Sequence, residues 1–334
     1  MSAASPEYSI IVPTYRRRES LARCLGAIAS LNFPRERFEV LVVDDGSPTA
    51  PADLVAELDP SIEARLICVD HAGPAAARNA GARFARGRYL VFTDDDCTPE
   101  SDWLTAIDRW TGSATGPTVI GGRVVNVLAG DIYAAASQSI IDYLYDYYGG
   151  RTTFGRFFTT NNLVVPRAEF LDIGGFDEGF RLAAAEDRDL CERWRGEGMK
   201  LEYAQDVGVR HAHTLGFVRF NRQHFNYGRG AFDLHRSRAR RGHEALRLEP
   251  VAFYSGLVLH PLRREQSARS AVIALLHLWS QVAYATGYFF ERVRRGWRVS
   301  RVERPRHPAR EPRIIERSEA RATRARPKVS GVAS

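Results

Sequence analysis

Three adjacent acids, Asp94, Asp95 and Asp96, follow the run Tyr89-Leu90-Val91-Phe92 after a single threonine. Four apolar or aromatic residues in a row read as a buried strand, so the acids stand at its carboxyl end. Open α/β sheets take their ligands at that end, and three neighbouring carboxylates repel one another unless a cation or solvent relieves them. The chemistry on offer is divalent-cation binding through hard oxygen ligands. The alternative is an acidic turn capping a helix that begins near Ser101, because Asp and Pro99 also suit turns and helix starts.

Other stretches offer complementary groups. Gly73-Pro74-Ala75-Ala76-Ala77-Arg78 reads as a glycine turn feeding a small-residue helix whose backbone donors, with Arg78, suit a diphosphate. It is neither GxGxxG nor a P-loop, so ordinary dinucleotide and P-loop readings are disfavoured. The alternative there is Ala-rich packing of helix on sheet with Arg78 in solvent. Asn161 and Asn162 lead into Leu163-Val164-Val165 and offer amides to a sugar, or else satisfy loop backbone. Ala185-Glu186-Asp187-Arg188-Asp189 opens an amphipathic helix with Leu190, Cys191 and Trp194 inward. Its acids suit a helix N-terminus in any case. His211 and His213 alternate on one face of a strand-like run and offer a metal ligand.

These groups need a scaffold. Tyr8–Val12, Phe38–Val43 and Arg65–Val69 read as strands, with helical periods over Ser20–Leu31 and Ala52–Leu58 between them. Such β-α-β-α-β alternation marks a parallel sheet with crossover helices. Polar groups then collect on one rim: Pro13-Thr14-Tyr15 after the first strand, Asp44-Asp45 after the second, and the acid triplet. A chain of 334 residues, 44% hydrophobic, is ample for one large α/β domain with an appendage. Four widely spaced cysteines suggest neither a disulfide framework nor a zinc site, which fits a reducing cytosol, and no secretory signal opens the chain.

In order and spacing, SIIVPTYRR, VLVVDDGS, GPAAARNAGARFARGRYLVFTDDDCTPESDWL, NNLVVPRAEFLDIGGFDEGF and AAEDRDLCERW resemble the family 2 glycosyltransferases of the GT-A fold. The similarity covers about Tyr8 to Tyr227. It implies an α/β, Rossmann-like, mostly parallel central sheet flanked by helices, with a C-terminal helical extension. It also implies a nucleoside-diphosphate sugar donor, with Pro13, Thr14, Tyr15, Arg16, Asp45, Arg78, Asp94 and Asp95 on the donor side. Asp94 and Asp96 match the outer members of the D-x-D motif and would reach the ribose or a Mg²⁺ or Mn²⁺ ion, with His211 preferred over His213 as a further ligand. Asp187 would be the general base, and Asn162 and Glu186 would meet the hydroxyl acceptor, which is a glycan, lipid or small molecule. Leu190-Cys191-Glu192-Arg193-Trp194 departs from the Q-x-x-R-W of processive synthases, which puts processive polymerisation in doubt.

The domain boundaries read as 1–230 for the catalytic domain, 231–300 for a helical region and 301–334 for a basic tail without structure. Residues 292–334 hold thirteen Arg and one Lys against four Glu, a net +10 that leaves the first 291 residues at −3 within the overall +7. This excludes a domain-wide nucleic-acid surface and fits an anionic membrane. Fifteen of the twenty residues in Ala271–Phe290 are hydrophobic, with His277, Gln281 and Tyr284 on one face. That pattern suits a helix lying in a membrane surface, or one docked on protein, rather than a lipid-exposed span. The expected location is cytoplasmic, peripheral at the inner face of the cell membrane. A non-catalytic nucleotide-sugar or nucleic-acid binding protein is the alternative function, and an acid at Asp187 beside the D-x-D site is what disfavours it.

Overall fold

The first strand, β1 (Tyr8–Thr14), is buried along nearly its whole length and runs parallel to β2 (Phe38–Asp44) on one side and β4 (Tyr89–Phe92) on the other. Between β1 and β2 lies α1 (Arg18–Ala29), whose Leu21, Leu25 and Ile28 face the sheet. Each such buried aliphatic side chain contributes about 1.5–3 kcal/mol. After β2 come α2 (Ala52–Glu57), β3 (Glu63–Cys68) and α3 (Pro74–Phe84). β3 adds parallel to β2. The four parallel strands therefore end on one rim, and their register sets Thr14 beside Asp44 and Ile11 beside Phe92.

The structure is a computed structural model and describes residues 5–128, 130–149, 157–212, 214–243, 249–296 and 312–316. Past β4 the chain forms β5 (Cys97–Pro99), α4 (Trp103–Ser113), β6 (Thr118–Asn126) and α5 (Ile132–Gly149). It continues through β7 (Leu163–Pro166), α6 (Arg167–Asp172), α7 (Glu186–Gly196) and β8 (Lys200–His211). Three helices, α8 (Phe217–Arg240), α9 (Val251–Arg264) and α10 (Ala268–Gly296), and a last strand β9 (Arg313–Glu316) complete it.

The nine strands among the described residues form one sheet in the order β5-β8-β6-β7-β4-β1-β2-β3-β9. β7 runs antiparallel to both β4 and β6, and β5 and β9 close the edges antiparallel to β8 and β3. The sheet is thus mixed: the expected parallel βα half is present, but the second half combines antiparallel pairs with the parallel pair β6 and β8.

Two expectations about the C-terminal third need correction. A boundary at residue 230 falls inside α8, a continuous 24-residue helix, because its Phe220, His224, Gly228 and Leu234 are all buried. Residues 313–316 are strand rather than tail, with Ile315 packed against the core on the free edge of β3. The rest of 301–334 lies outside the described residues. α8 and α10 cross closely: a Cβ on Gly228 would meet Tyr284 O at 1.8 Å, and one on Gly287 would meet Phe225 O at 1.9 Å. No helix among the described residues is long and apolar enough to cross a membrane.

Candidate active site

The rim beyond β4 holds the acid triplet, and two arginines divide it. Arg17, just before α1, donates through Nη1 to Asp95 Oδ1 at 2.9 Å and to Asp96 Oδ2 at 2.8 Å. Thr14 at the end of β1 donates to Asp95 Oδ2 at 2.8 Å. Arg78, buried on α3, donates through Nη2 to Asp94 Oδ1 at 2.7 Å and through Nη1 to Glu186 Oε1 at 3.1 Å. Burial pushes the Asp95 carboxyl up to about 6, against the pull of the Arg17 charge and the Thr14 hydroxyl. The triplet is therefore no loose helix cap, and Arg78 is not in solvent.

On the far side of Asp96, β5 pairs with the end of β8 so that Cys97 lies opposite His211. His211 Nε2 is 3.2 Å from Asp96 Oδ1, and ligand atoms of Asp96, Cys97 and His211 all lie within 4.8 Å of one another. Burial alone would lower the His211 pKa, but the Asp96 carboxylate outweighs it and the net shift is upward. His213 lies outside the described residues.

The ends of β1 and β2 make a second cluster. Tyr15 stacks on His71 with ring centroids 4.2 Å apart, and the Arg16 guanidinium stands 5.2 Å from the Tyr15 ring. Arg16 is in the left-handed region at φ 56, and its N–H donates to Ser47 Oγ at 2.9 Å. Asp45 accepts the N–H groups of Ala72 at 2.9 Å and Gly73 at 3.0 Å, with His71 Nδ1 2.8 Å away. Gly73 itself is at φ 103 where α3 begins, and a Cβ there would strike Arg181 O at 2.6 Å. Pro13 pairs opposite Val43 and is half-buried.

Facing these, α7 begins with Ala185 in the left-handed region at φ 71, so the chain turns sharply before Glu186 and Asp187. Burial raises the pKa of both acids; the neighbouring Asp187 charge adds to the rise at Glu186, and Arg78 opposes it. Asp187 Oδ1 accepts the Arg188 N–H at 2.7 Å. The Arg188 guanidinium lies 4.3 Å from the Phe157 ring centroid. Tyr227 of α8 stands in the field of Asp187 and Glu186, and burial with those charges pushes its hydroxyl up to about 12. Asp189 is a supporting residue: it accepts from Arg193 at 2.8 Å and from Arg241 at 2.7 Å.

Asn162 departs from the acceptor role expected for it. Its Nδ2 donates to Arg123 O at 3.0 Å and Val207 O at 2.9 Å, and its Oδ1 accepts from Trp103 Nε1 at 3.0 Å. The side chain is buried and its hydrogen bonds are used up where β6 bulges at Gly122 and Arg123. It holds the sheet together rather than facing a ligand.

Residues 9–166 match the model for Glycosyl transferase family 2. Over that stretch, just under half of its length, the chain is similar to that family. The chain is 29% identical to glycosyltransferase AglE of Haloferax volcanii over 234 residues, which are 69% of this chain and 74% of AglE. It is 25% identical to the validoxylamine A glucosyltransferase of Streptomyces hygroscopicus subsp. jinggangensis, covering 60% of this chain but only 54% of that longer one.

Among solved structures it is similar to the mannosyltransferase PcManGT of Pyrobaculum calidifontis in complex with GDP-Man and Mn²⁺. The TM-score is 0.54 at 19% identity, over 89% of this chain and 81% of that one. It is similar to residues 1–349 of S. aureus TarS in complex with UDP-GlcNAc, with a TM-score of 0.53 at 15% identity over 89% and 93% of the chains. At such identities the likeness is one of fold, and the architecture is the expected GT-A fold.

Sequence reasoning did not single out Arg17, His71 or Tyr227 in this glycosyltransferase. Arg17 sits in a run of three arginines whose orientations no pattern separates, and Tyr227 arrives from a helix remote in sequence. His71 carried a weak signal, standing between a strand end and the glycine turn.

Proposed function

We propose that this glycosyltransferase moves a sugar from a nucleoside-diphosphate donor to a hydroxyl acceptor with inversion, in one displacement. Arg78 carries the reading: its two Nη groups tie Asp94 to Glu186, so the donor-side acids and the α7 acids form one site although more than ninety residues separate them. Pro13, Thr14, Tyr15, Arg16 and Asp45 line the nucleoside end, and Arg78, Asp94 and Asp95 the ribose and diphosphate. Asp187 accepts the acceptor hydroxyl proton as the oxygen bonds to the anomeric carbon. The bond from that carbon to the diphosphate breaks, and the electron pair leaves with the diphosphate.

Asp96 and His211, whose ligand atoms lie within 4.8 Å of each other, fit a divalent cation, since a carboxylate joined by an imidazole suits Mn²⁺, and Mg²⁺ where water replaces the ring; Asp94, which accepts from Arg78 through Oδ1, is assigned beside them on its place in the motif. When bound, the ion offsets charge on the departing diphosphate. The buried Cys97 thiol, its pKa pushed far up by burial, makes a poor ligand beside them.

Glu186 is held by Arg78 and shapes the acceptor side. The acceptor is a hydroxyl-bearing glycan, lipid or small molecule of cell-envelope chemistry, and the enzyme works in the cytoplasm at the inner face of the cell membrane. The test is a panel of nucleoside-diphosphate sugars screened by thermal shift with and without Mn²⁺, followed by turnover of the stabilising donor on an acceptor panel. Stabilisation without any turnover by wild type on any acceptor would favour a binding protein instead.

A further inference from the structure

Helix α10 is inside out. Its polar groups Ser270, His277, Ser280 and Glu291 are buried against the rest of the chain. Most of its large apolar side chains face outward, Ile273 and Leu276 packing inward: Leu275 is 66% exposed, Trp279 47%, Val282 53% and Phe289 57%. These positions recur every third, fourth or seventh residue and so form a stripe along a helix about 43 Å long at 1.5 Å per residue. The stripe widens onto α8, where exposed Phe217 stacks on Trp279 at 6.4 Å and Trp279 Nε1 donates to Asn221 Oδ1 at 2.5 Å. Ten of the fifteen exposed large hydrophobics among the described residues lie on these two helices, so this is a continuous patch rather than scattered side chains. Contiguous exposed apolar surface of this kind marks an interaction face.

The charge around it selects the partner. Residues 214–232 contain three arginines and no acid, and residues 266–290 contain one arginine and no acid. Arg219, Arg222, Arg269 and Arg292 are all exposed, flanking the stripe at its side and both ends. A second copy would set these cations against their own kind, whereas an anionic bilayer offers them phosphates and offers the stripe acyl chains. We infer that the α8–α10 face docks on an anionic lipid surface, with α10 lying along the bilayer and its polar face turned to the protein. This surface is independent of donor chemistry, so it stands or falls separately from the glycosyl-transfer reading.

The full chain is floated with vesicles of phosphatidylcholine alone and of phosphatidylcholine with phosphatidylglycerol, at low and high salt. Flotation is expected with the anionic vesicles only, and it should weaken as salt rises. Leu275→Glu combined with Val282→Glu should cut it at least tenfold, with thermal midpoint and Mn²⁺-dependent nucleoside diphosphate binding unchanged. Arg219→Glu with Arg222→Glu should weaken it by a smaller factor, and bromolipid should quench the fluorescence lost in Trp279→Phe. Equal flotation with both vesicles, or with neither, would overturn the inference. So would a lipid-free dimer that Leu275→Glu with Val282→Glu converts to monomer, because a second copy would then own the face.

Discussion

Helices α7 and α10 both bury polar residues but turn most of their large apolar ones in opposite senses. α7 buries Leu190, Cys191 and Trp194 and lifts Glu186 and Asp187 into the site from its first turn. α10 buries His277 and Glu291 and shows its aliphatic and aromatic residues to the outside. Both arrangements satisfy the same requirement, that a buried polar group have a partner. The His277 ring nitrogens lie 2.8 Å from Leu257 O and 3.2 Å from Ala136 O, and Glu291 accepts from Arg229 at 2.9 Å and is also bridged by Arg294 and Arg295. The difference teaches that amphipathy locates a stripe, and the partners waiting for the polar side decide which way it faces.

Asp187→Asn attacks the α7 side most strongly. It keeps the shape of the group and removes the proton acceptor, so kcat should fall by roughly 10²–10⁴-fold while donor affinity stays near wild type. Steady-state kinetics beside donor titration checks this, and loss of turnover only in Asp189→Asn or Glu186→Gln would move the base to a neighbour. The pH profile sharpens it. Burial raises the Asp187 pKa from the ordinary 3.8, and a base works only when deprotonated. Activity should therefore fall as pH drops through the raised Asp187 value, and the Asp187→Asn residual rate should lose that acid limb.

Arg78→Met tests the link between the two halves of the site. Removing one member of a buried ion-paired set leaves Asp94 and Glu186 uncompensated, at a cost of about 3–5 kcal/mol in unfolding free energy measured by urea titration. Arg78→Lys should recover only part of it, since an ammonium does not span two acids as a planar guanidinium does. For Asp96→Ala, the expected outcome is loss of the Mn²⁺-dependent gain in nucleoside diphosphate affinity, read by calorimetry with and without the ion. Unchanged metal dependence in the folded variant would move the cation site elsewhere.

The α10 side should respond in reverse order to an ordinary helix. His277→Ala, a polar-to-apolar change, should destabilise by about 1–3 kcal/mol because a buried carbonyl loses the ring N–H. Leu275→Glu, an apolar-to-charged change, should shift stability by no more than about 0.5 kcal/mol. Equal costs for the two, measured by chemical denaturation, would break the contrast between the helices.

Much of the site was legible where local pattern and position coincide. A strand of four apolar residues ending in acids reads correctly as Tyr89–Phe92 and its rim, and glycine before an Ala-rich helix reads correctly as the start of α3. Asn162 was misplaced because an amide beside a strand looks the same whether it faces a ligand or two backbone carbonyls. Residues 313–316 looked like tail because four residues with two isoleucines amid arginines carry too little signal. Only the open edge of β3 gives them a reason to be a strand.

The sequence by itself determined the succession of βα units, the collection of polar groups at strand ends and the family's motifs, since each rests on contacts within a few residues. Tertiary structure decided which cation meets which acid: Arg17 rather than its neighbours on Asp95 and Asp96, and Arg78 between Asp94 and Glu186. It also turned α10 inside out. Those outcomes depend on side chains brought together from separate stretches of the chain, where burial makes an unpartnered charge too costly to leave and so selects one pairing among several that the residue types alone allow.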